Sequence, residues 1–426
     1  MSGSLNITSA TVDPALLDLP WNLPLDTWPE DVIASLPKGI SRHLVRFVNL
    51  SGYVVAIKET SAELAKREYD LLRTLQRIDI PCVEPLAVIT NRTNDDGEAL
   101  ESALVTRHLK FSLPYRALFS QSLRPDTATR LVDALAVLLV RLHITGLFWG
   151  DVSLSNTLFR RDAGAFAAYL VDAETGKLYD GGLSNGQREN DLEIARVNIA
   201  GELLDLQSGG RFADEVDPIG IADGIVAQYR TLWGELTGSE EFDQSERWRI
   251  NHRVRRLNDL GFDIEELAIK TDETGTQVRI QPKVVDAGHH SRRLLRLTGL
   301  DAQENQARRL LNDLDSYMAT FDKKNLDEEA IAHEWVATVF EPVVRAIPRE
   351  LKGRLEPAEV FHQLLDHRWF MSQNEGRDVP LAESVSSYVD TVLRYRRDEA
   401  TVIAPITGAI GIPAEFLDED DWRNKV

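Results

Sequence analysis

Lys58, Glu68, Asp151, Asn156 and Asp172 combine residue types and spacings suited to chemistry on a phosphate group. Moving a phosphoryl group asks for a carboxylate that orients and deprotonates the attacking hydroxyl, and for hard oxygen ligands that hold Mg²⁺. Asp151 and Asn156, in Gly150-Asp-Val-Ser-Leu-Ser-Asn156, have the D-x-x-x-x-N spacing of a loop that supplies both. Asp172 ends Ala168–Asp172, the second strand of a short hairpin whose turn would return this carboxylate beside Asn156. Lys58 ends Val54-Val-Ala-Ile-Lys58, the form of a strand lysine that meets nucleotide phosphates.

Glu68 is singled out by its surroundings. It lies four residues from Leu64, three from Leu71 and four from Leu72, inside the apolar stripe of an expected helix. An unpaired carboxylate there would be costly, and Lys58 is the partner that removes the cost. Glu63 instead shares a face with Arg67 and Asp70 and reads as solvated. Glu174, two residues past Asp172, reads as a solvated carboxylate rather than a further ligand.

The elements that must position these residues are legible in outline. Five prolines between Pro14 and Pro37 predict an irregular leader over residues 1–40, with a short helix near Asp31–Leu36. His43–Asn49 and Tyr53–Lys58 read as a hairpin, and Ser61–Ile78 as a helix with Ser61 as its N-cap. Strands follow at Leu86–Thr90 and Ser102–Leu109. A long helix then starts at Pro125 and stops at Gly146, just before the Asp151 loop. Beyond Gly186 the pattern is mostly helical, with one hairpin near Ala268–Val285 and a domain boundary at Gly238–Gln244. Trp335, Trp369 and Phe370 read as core, and Asp418–Asp421 as a solvated acidic tail.

Bulk properties exclude several function classes. A net charge of −20 opposes nucleic-acid binding and adsorption to anionic membranes. No apolar run reaches the roughly 20 residues of a membrane span, so no membrane insertion is expected. A single cysteine, Cys82, allows no internal disulfide and reads as inert. With no signal-peptide pattern at Met1, the expected location is cytoplasmic. His333, His362 and His367 lack zinc-ligand spacing. The basic run Gly288-His-His-Ser-Arg-Arg293 reads as a solvated helix start, with an anion site as the alternative.

The ordered set of strand Lys, helix Glu, loop Asp/Asn and strand-end Asp resembles the protein-kinase-like superfamily. It looks closest to bacterial lipopolysaccharide (Kdo/heptose) kinase-like and RIO-like proteins, which Arg67–Leu75 and Ile80–Pro85 also resemble. Glu341–Arg345 and Leu355–His362 look like an uncharacterised domain found beside this core in actinobacterial proteins. The resemblance implies an α+β, two-lobed kinase-like fold with a mostly helical C-terminal domain. The expected divisions are an N-lobe at 41–109, a C-lobe at 110–237 and a helical domain at 238–426. It further implies ATP and Mg²⁺ as cofactors and an unidentified acceptor substrate.

By that resemblance Lys58 holds the α- and β-phosphates, Glu68 orients Lys58, Asp151 serves the acceptor hydroxyl, and Asn156 and Asp172 bind the metal. Adenine would meet the backbone connector that includes Val105 and Arg107. The phosphate loop would be Ser51-Gly52, with Ser51 either a phosphate donor or simply a turn residue. Ser153 stands where protein kinases often place a lysine near the γ-phosphate. Trp149-Gly150 replaces their His-Arg, and Asp172-Ala-Glu replaces their Asp-Phe-Gly. Three activities fit this pattern: phosphotransfer, nucleotide binding by a regulatory scaffold without turnover, and transfer of AMP.

Overall fold

The computed structural model describes residues 5–10, 13–34, 43–120, 123–212, 216–238, 240–243, 246, 248–259, 262–271, 277–321 and 327–400. The leader departs from expectation. Asn6–Ser9 is a strand, β1, despite the prolines that follow it. It pairs antiparallel with residues 87–90, a partner far away in sequence, so no local pattern announces it. Of the short helix expected near Asp31–Leu36, residues 35 and 36 lie outside the described residues. Ile33 before them makes a β-bridge to Val48.

The hairpin forms as β2 (Val45–Leu50) and β3 (Tyr53–Thr60), followed by α1 (Ala62–Arg77) with the Ser61 side chain accepting from Leu64 N–H. With β4 (Glu84–Thr90) and β5 (Ser102–Arg107) these strands make a five-stranded antiparallel sheet in the order β1-β4-β5-β3-β2. Strand alternation gives the sheet two different faces. Val55, Ile57, Ala87, Ala103 and Val105 pack under the leader's Leu16, Trp21, Leu25 and Trp28. The opposite face, with Val88 and Leu104, packs against α1 through Ala65, Tyr69, Leu72 and Leu75.

One buried cation stitches the leader in place. Arg92 donates to the carbonyls of Trp21, Leu23 and Glu101 and pairs with Glu59, whose carboxylate also accepts from Leu25 N–H.

The second lobe contains β6 (Ser112–Pro114), α2 (Tyr115–Leu118) and α3 (Pro125–Ile144), the last with proline at its first turn. It continues through β7 (Leu147–Phe148), the hairpin β8 (Thr157–Asp162) and β9 (Ala165–Leu170), and β10 (Lys177–Leu178). Helices α4 (Asn185–Ser208) and α5 (Pro218–Thr237) close it. Leu131, Leu135, Leu138, Leu139 and Leu142 of α3 are buried at its centre. The architecture is the α+β, two-lobed arrangement that the motif order implies.

Next come β11 (Glu240–Asp243), α6 (Trp248–Asp259), β12 (Phe262–Thr271) and β13 (Gln277–Ala287), with sheet order β11-β13-β12. Within Gly238–Gln244, expected to be a domain boundary, Glu240–Asp243 forms strand β11. Leu257 and Phe262 belong to the apolar core of the preceding lobe, and a separate core begins at Leu294. That core is built from α7 (His289–Thr298), α8 (Glu304–Thr320), α9 (Glu328–Trp335), α10 (Glu341–Ala346), α11 (Pro357–Glu375) and α12 (Leu381–Thr391).

A π-helical turn at Val336–Phe340 lies between α9 and α10. Trp335 is core as expected, whereas Trp369 is exposed, because it lies on the face of α11 turned from Phe361 and Leu364. The acidic tail Asp418–Asp421 lies outside the described residues. Among those described, no helix is long and apolar enough to cross a membrane.

Candidate active site

Lys58 occupies the inner face of β3, and the α1 stripe points Glu68 at it. The ammonium lies 3.0 Å from Glu68 Oε2, 2.7 Å from Asp172 Oδ2 and 2.9 Å from Glu174 Oε2. Burial works against the Lys58 charge, but the carboxylates of Glu68 and Asp172 outweigh it and hold its pKa above the ordinary lysine value. Burial and the nearby Asp172 charge push Glu68 up to about 7, against the Lys58 ammonium and the Ala173 N–H that pull it down. Glu68 therefore joins the helix to the Asp172 segment as well as to the lysine.

Glu174 is corrected by this geometry. Besides Lys58 it lies 2.9 Å from His43 Nε2, and its backbone N–H donates to Asp172 Oδ1. Its carbonyl accepts from Arg67, on the outer side of α1. The tight turn after β9 folds it back, which the residue spacing does not reveal. Glu68, Asp172 and Glu174 bring carboxylate oxygens within 4.8 Å of one another.

The Asp151 loop is closed on itself. Asn156 Nδ2 donates to the Asp151 carbonyl and to Asp151 Oδ2, at 3.0 and 3.2 Å. These bonds engage the amide nitrogen of Asn156. Val171 N–H donates to the Asn156 carbonyl at 3.0 Å, so the hairpin does return Asp172 beside Asn156. Ser153 is buried, and its hydroxyl accepts from Asn156 N–H at 3.2 Å and pairs with Ser155 Oγ. In this structure Ser153 shapes the loop.

Four residues that the sequence reading passed over hold that loop. Asp191 of α4 is fully buried and accepts from Trp149 N–H and Gly150 N–H, at 2.7 and 2.8 Å. His143 of α3 lies between Asp191 (3.1 Å) and the Tyr229 hydroxyl (2.7 Å). Glu202 accepts from Leu154 and Ser155 N–H, and Asn198 donates to Asp151 Oδ1 and to the Val152 carbonyl.

The unusual Trp149-Gly150 pair now has physical reasons. Trp149 is buried and its Nε1–H donates to the Asp172 carbonyl at 2.8 Å, tying the loop to the carboxylate segment. Gly150 adopts φ 78°, and a Cβ there would stand 3.0 Å from the Phe148 ring, so a larger residue is strained twice over.

The remaining expected contacts lie apart from this cluster. Ser51 and Gly52 form a two-residue turn with φ 47° and 86°, the left-handed pair that a tight hairpin needs. The Ser51 hydroxyl donates to Asp13 of the leader, whose other carboxylate oxygen accepts from Tyr53 OH. The Val105 side chain is buried on the outer face of the sheet under the leader. Arg107 stacks 4.3 Å from the Tyr53 ring and pairs with Glu84, so only their backbone is available on the inner side. Cys82 is buried, which pushes its thiol up to about 12. The Gly288 run begins α7 half-buried, with His290 bonded to Glu304, and is not a solvated helix start.

Two family models match parts of this chain. Residues 52–195 match the lipopolysaccharide kinase (Kdo/WaaP) family. This part of the chain is kinase-like. Residues 231–393 match a second family, described as a domain of unknown function (DUF4032). A solved structure described as WaaP in complex with acyl carrier protein is 15% identical, with a TM-score of 0.34. The match covers 54% of this chain and 90% of that one. No curated protein matches the chain. The kinase-like segment contains Lys58, Glu68, Asp151, Asn156, Asp172 and also Asp191.

Proposed function

We propose that this protein is an ATP- and Mg²⁺-dependent phosphotransferase acting on a hydroxyl of a small molecule, glycan or protein. The observation that carries the reading is Lys58, held at once by a helix carboxylate, Glu68, and by the carboxylate Asp172. A lysine so fixed presents its charge to nucleotide phosphates at a set position, and Glu68 keeps it there. Asp151, oriented by Asn156 and Asn198, accepts the proton of an acceptor hydroxyl.

Asp172 and Asn156 offer the hard oxygens that Mg²⁺ takes, with Glu174 as a further carboxylate in reach. Bound there, the ion would neutralise phosphate charge during transfer. Within the DUF4032-like part, the helices from α7 onward have a core of their own, while Leu257 and Phe262 join the kinase-like lobe.

A second reading is favoured by one contact. The Ser51 hydroxyl is engaged by Asp13 instead of facing a phosphate, as suits a nucleotide-binding scaffold without turnover. ATP consumption by the full chain, compared with Asp151→Ala, decides between them. Phosphotransfer predicts turnover in the parent and a loss of about 100-fold or more in the variant. Binding of ATP with no consumption in either leaves the scaffold. Mass spectrometry of acceptors separates phosphoryl from AMP adducts.

A further inference from the structure

The β8–β9 hairpin has two ends with different partners. Its open end carries Asn156 and, past Leu170, Asp172; its closed end is the turn Ala163-Gly164. A hairpin tip ordinarily faces water and tolerates change. This one is held by hydrogen bonds from the C-terminal module.

Asp162 caps the start of α8, its Oδ1 accepting from Gln306 N–H at 2.8 Å and its Oδ2 from Asn305 Nδ2 at 2.9 Å. Glu359 of α11 accepts from Ala163 N–H at 2.9 Å and from Gln306 Nε2 at 3.0 Å. Gln306 Nε2 also donates to the Arg161 carbonyl, and the Tyr169 hydroxyl donates to Gln303 Oε1 at 2.7 Å. Arg160 pairs with Glu356, and Arg161 with Glu399.

Such bonds fix both the height and the rotation of the tip. Glu359 is fully buried; its desolvation is outweighed by His362, Gln363, Gln306 and the Ala163 N–H, which hold its pKa below the ordinary range. A buried carboxylate held by directional donors specifies one docking geometry, which apolar contact alone does less well. The ladder then carries that geometry along the strands. Register is set pair by pair from Asp162↔Ala165 to Thr157↔Leu170, a run of roughly 17 Å at about 3.3 Å per residue.

We propose that the C-terminal module is a positioning clamp for the metal-binding end of this hairpin. Glu359, Gln306 and Asp162 are positioning residues that set where Asn156 and Asp172 stand relative to each other. The inference rests on the proposed role of Asn156 and Asp172 as metal ligands. The kinase-like lobe is then complete only with its helical module docked, and whatever displaces that module lowers metal affinity before it touches the nucleotide.

The test uses the full chain with Glu359→Gln and, as a milder change, Tyr169→Phe. Binding of Mn²⁺ to the ATP-saturated protein is followed through the resonance of the free ion, and amide exchange is followed across residues 157–170. For Glu359→Gln the expectation is at least tenfold faster exchange and about tenfold weaker Mn²⁺ binding, with metal-free ATP affinity within twofold of the parent. Tyr169→Phe is expected to shift both two- to threefold the same way, and it remains informative if Glu359→Gln does not fold. Unchanged Mn²⁺ affinity beside faster exchange overturns the clamp, as does unchanged exchange in both variants. An Asp172→Ala control separates the two ideas: if it leaves Mn²⁺ affinity intact, the metal-site reading has failed, and not the clamp alone.

Discussion

Two buried carboxylates, Glu68 and Asp191, sit on helices of the two different lobes, and their partners differ in kind. Glu68 faces one ammonium shared with Asp172 and Glu174, in a cluster that is still partly open to water. Asp191 faces two backbone N–H groups and a buried imidazole, and it is entirely enclosed. Fixed donors suit a group that must not move, whereas a shared cation suits a group whose charge is to be traded with a ligand. The contrast separates the part of the site proposed to react from the part that holds it in shape.

The largest effect tests the rigid side. Asp191→Ala leaves two buried N–H groups and His143 without their acceptor, and stability should fall by about 3–5 kcal/mol in urea unfolding. A loss below about 1 kcal/mol would erase the distinction. Asp172→Ala tests the other side, where turnover should drop about 100- to 1000-fold while the melting temperature stays within a few degrees. Equal turnover in that variant removes Asp172 from the chemistry.

The smallest effect sharpens the comparison through pH. Glu68 is raised in the folded protein from 4.5 to about 7, so the folded state holds a proton that the unfolded chain has released. Its contribution to stability is complete below pH 4.5 and is lost as pH rises toward 7. Glu68→Gln should flatten that slope in denaturation measured from pH 4.5 to 7.

Local patterns made the reacting side legible. Lys58 and Glu68 announce themselves within a dozen residues through strand alternation and a helical stripe, and Asp151 and Asn156 through fixed spacing. Asp191 follows the same logic as Glu68, since it precedes the buried run Leu192, Ala195 and Ile199, but its partners are 41 and 42 residues away. Glu174 was misjudged because a tight turn, not a helix or strand period, carries it back to Lys58. Trp149 looked anomalous in sequence and is explained only by its bond to the Asp172 carbonyl. Strand β11 was hidden because its partner β13 lies beyond a whole helix and another strand in sequence.

The strand β1 has a consequence for how the chain is made. Ser9 and its partner Leu86 are 77 residues apart, so on the ribosome β1 has no strand to join until β4 has emerged. Until then Leu16, Trp21, Leu25 and Trp28 have only the β2–β3 part of their sheet face to cover, and Arg92, which pins them, has not emerged. Contacts of such separation form late and slowly. The nascent N-lobe therefore passes through a stage in which Trp21 and Trp28 wait for their full cover, a natural point for a chaperone to act.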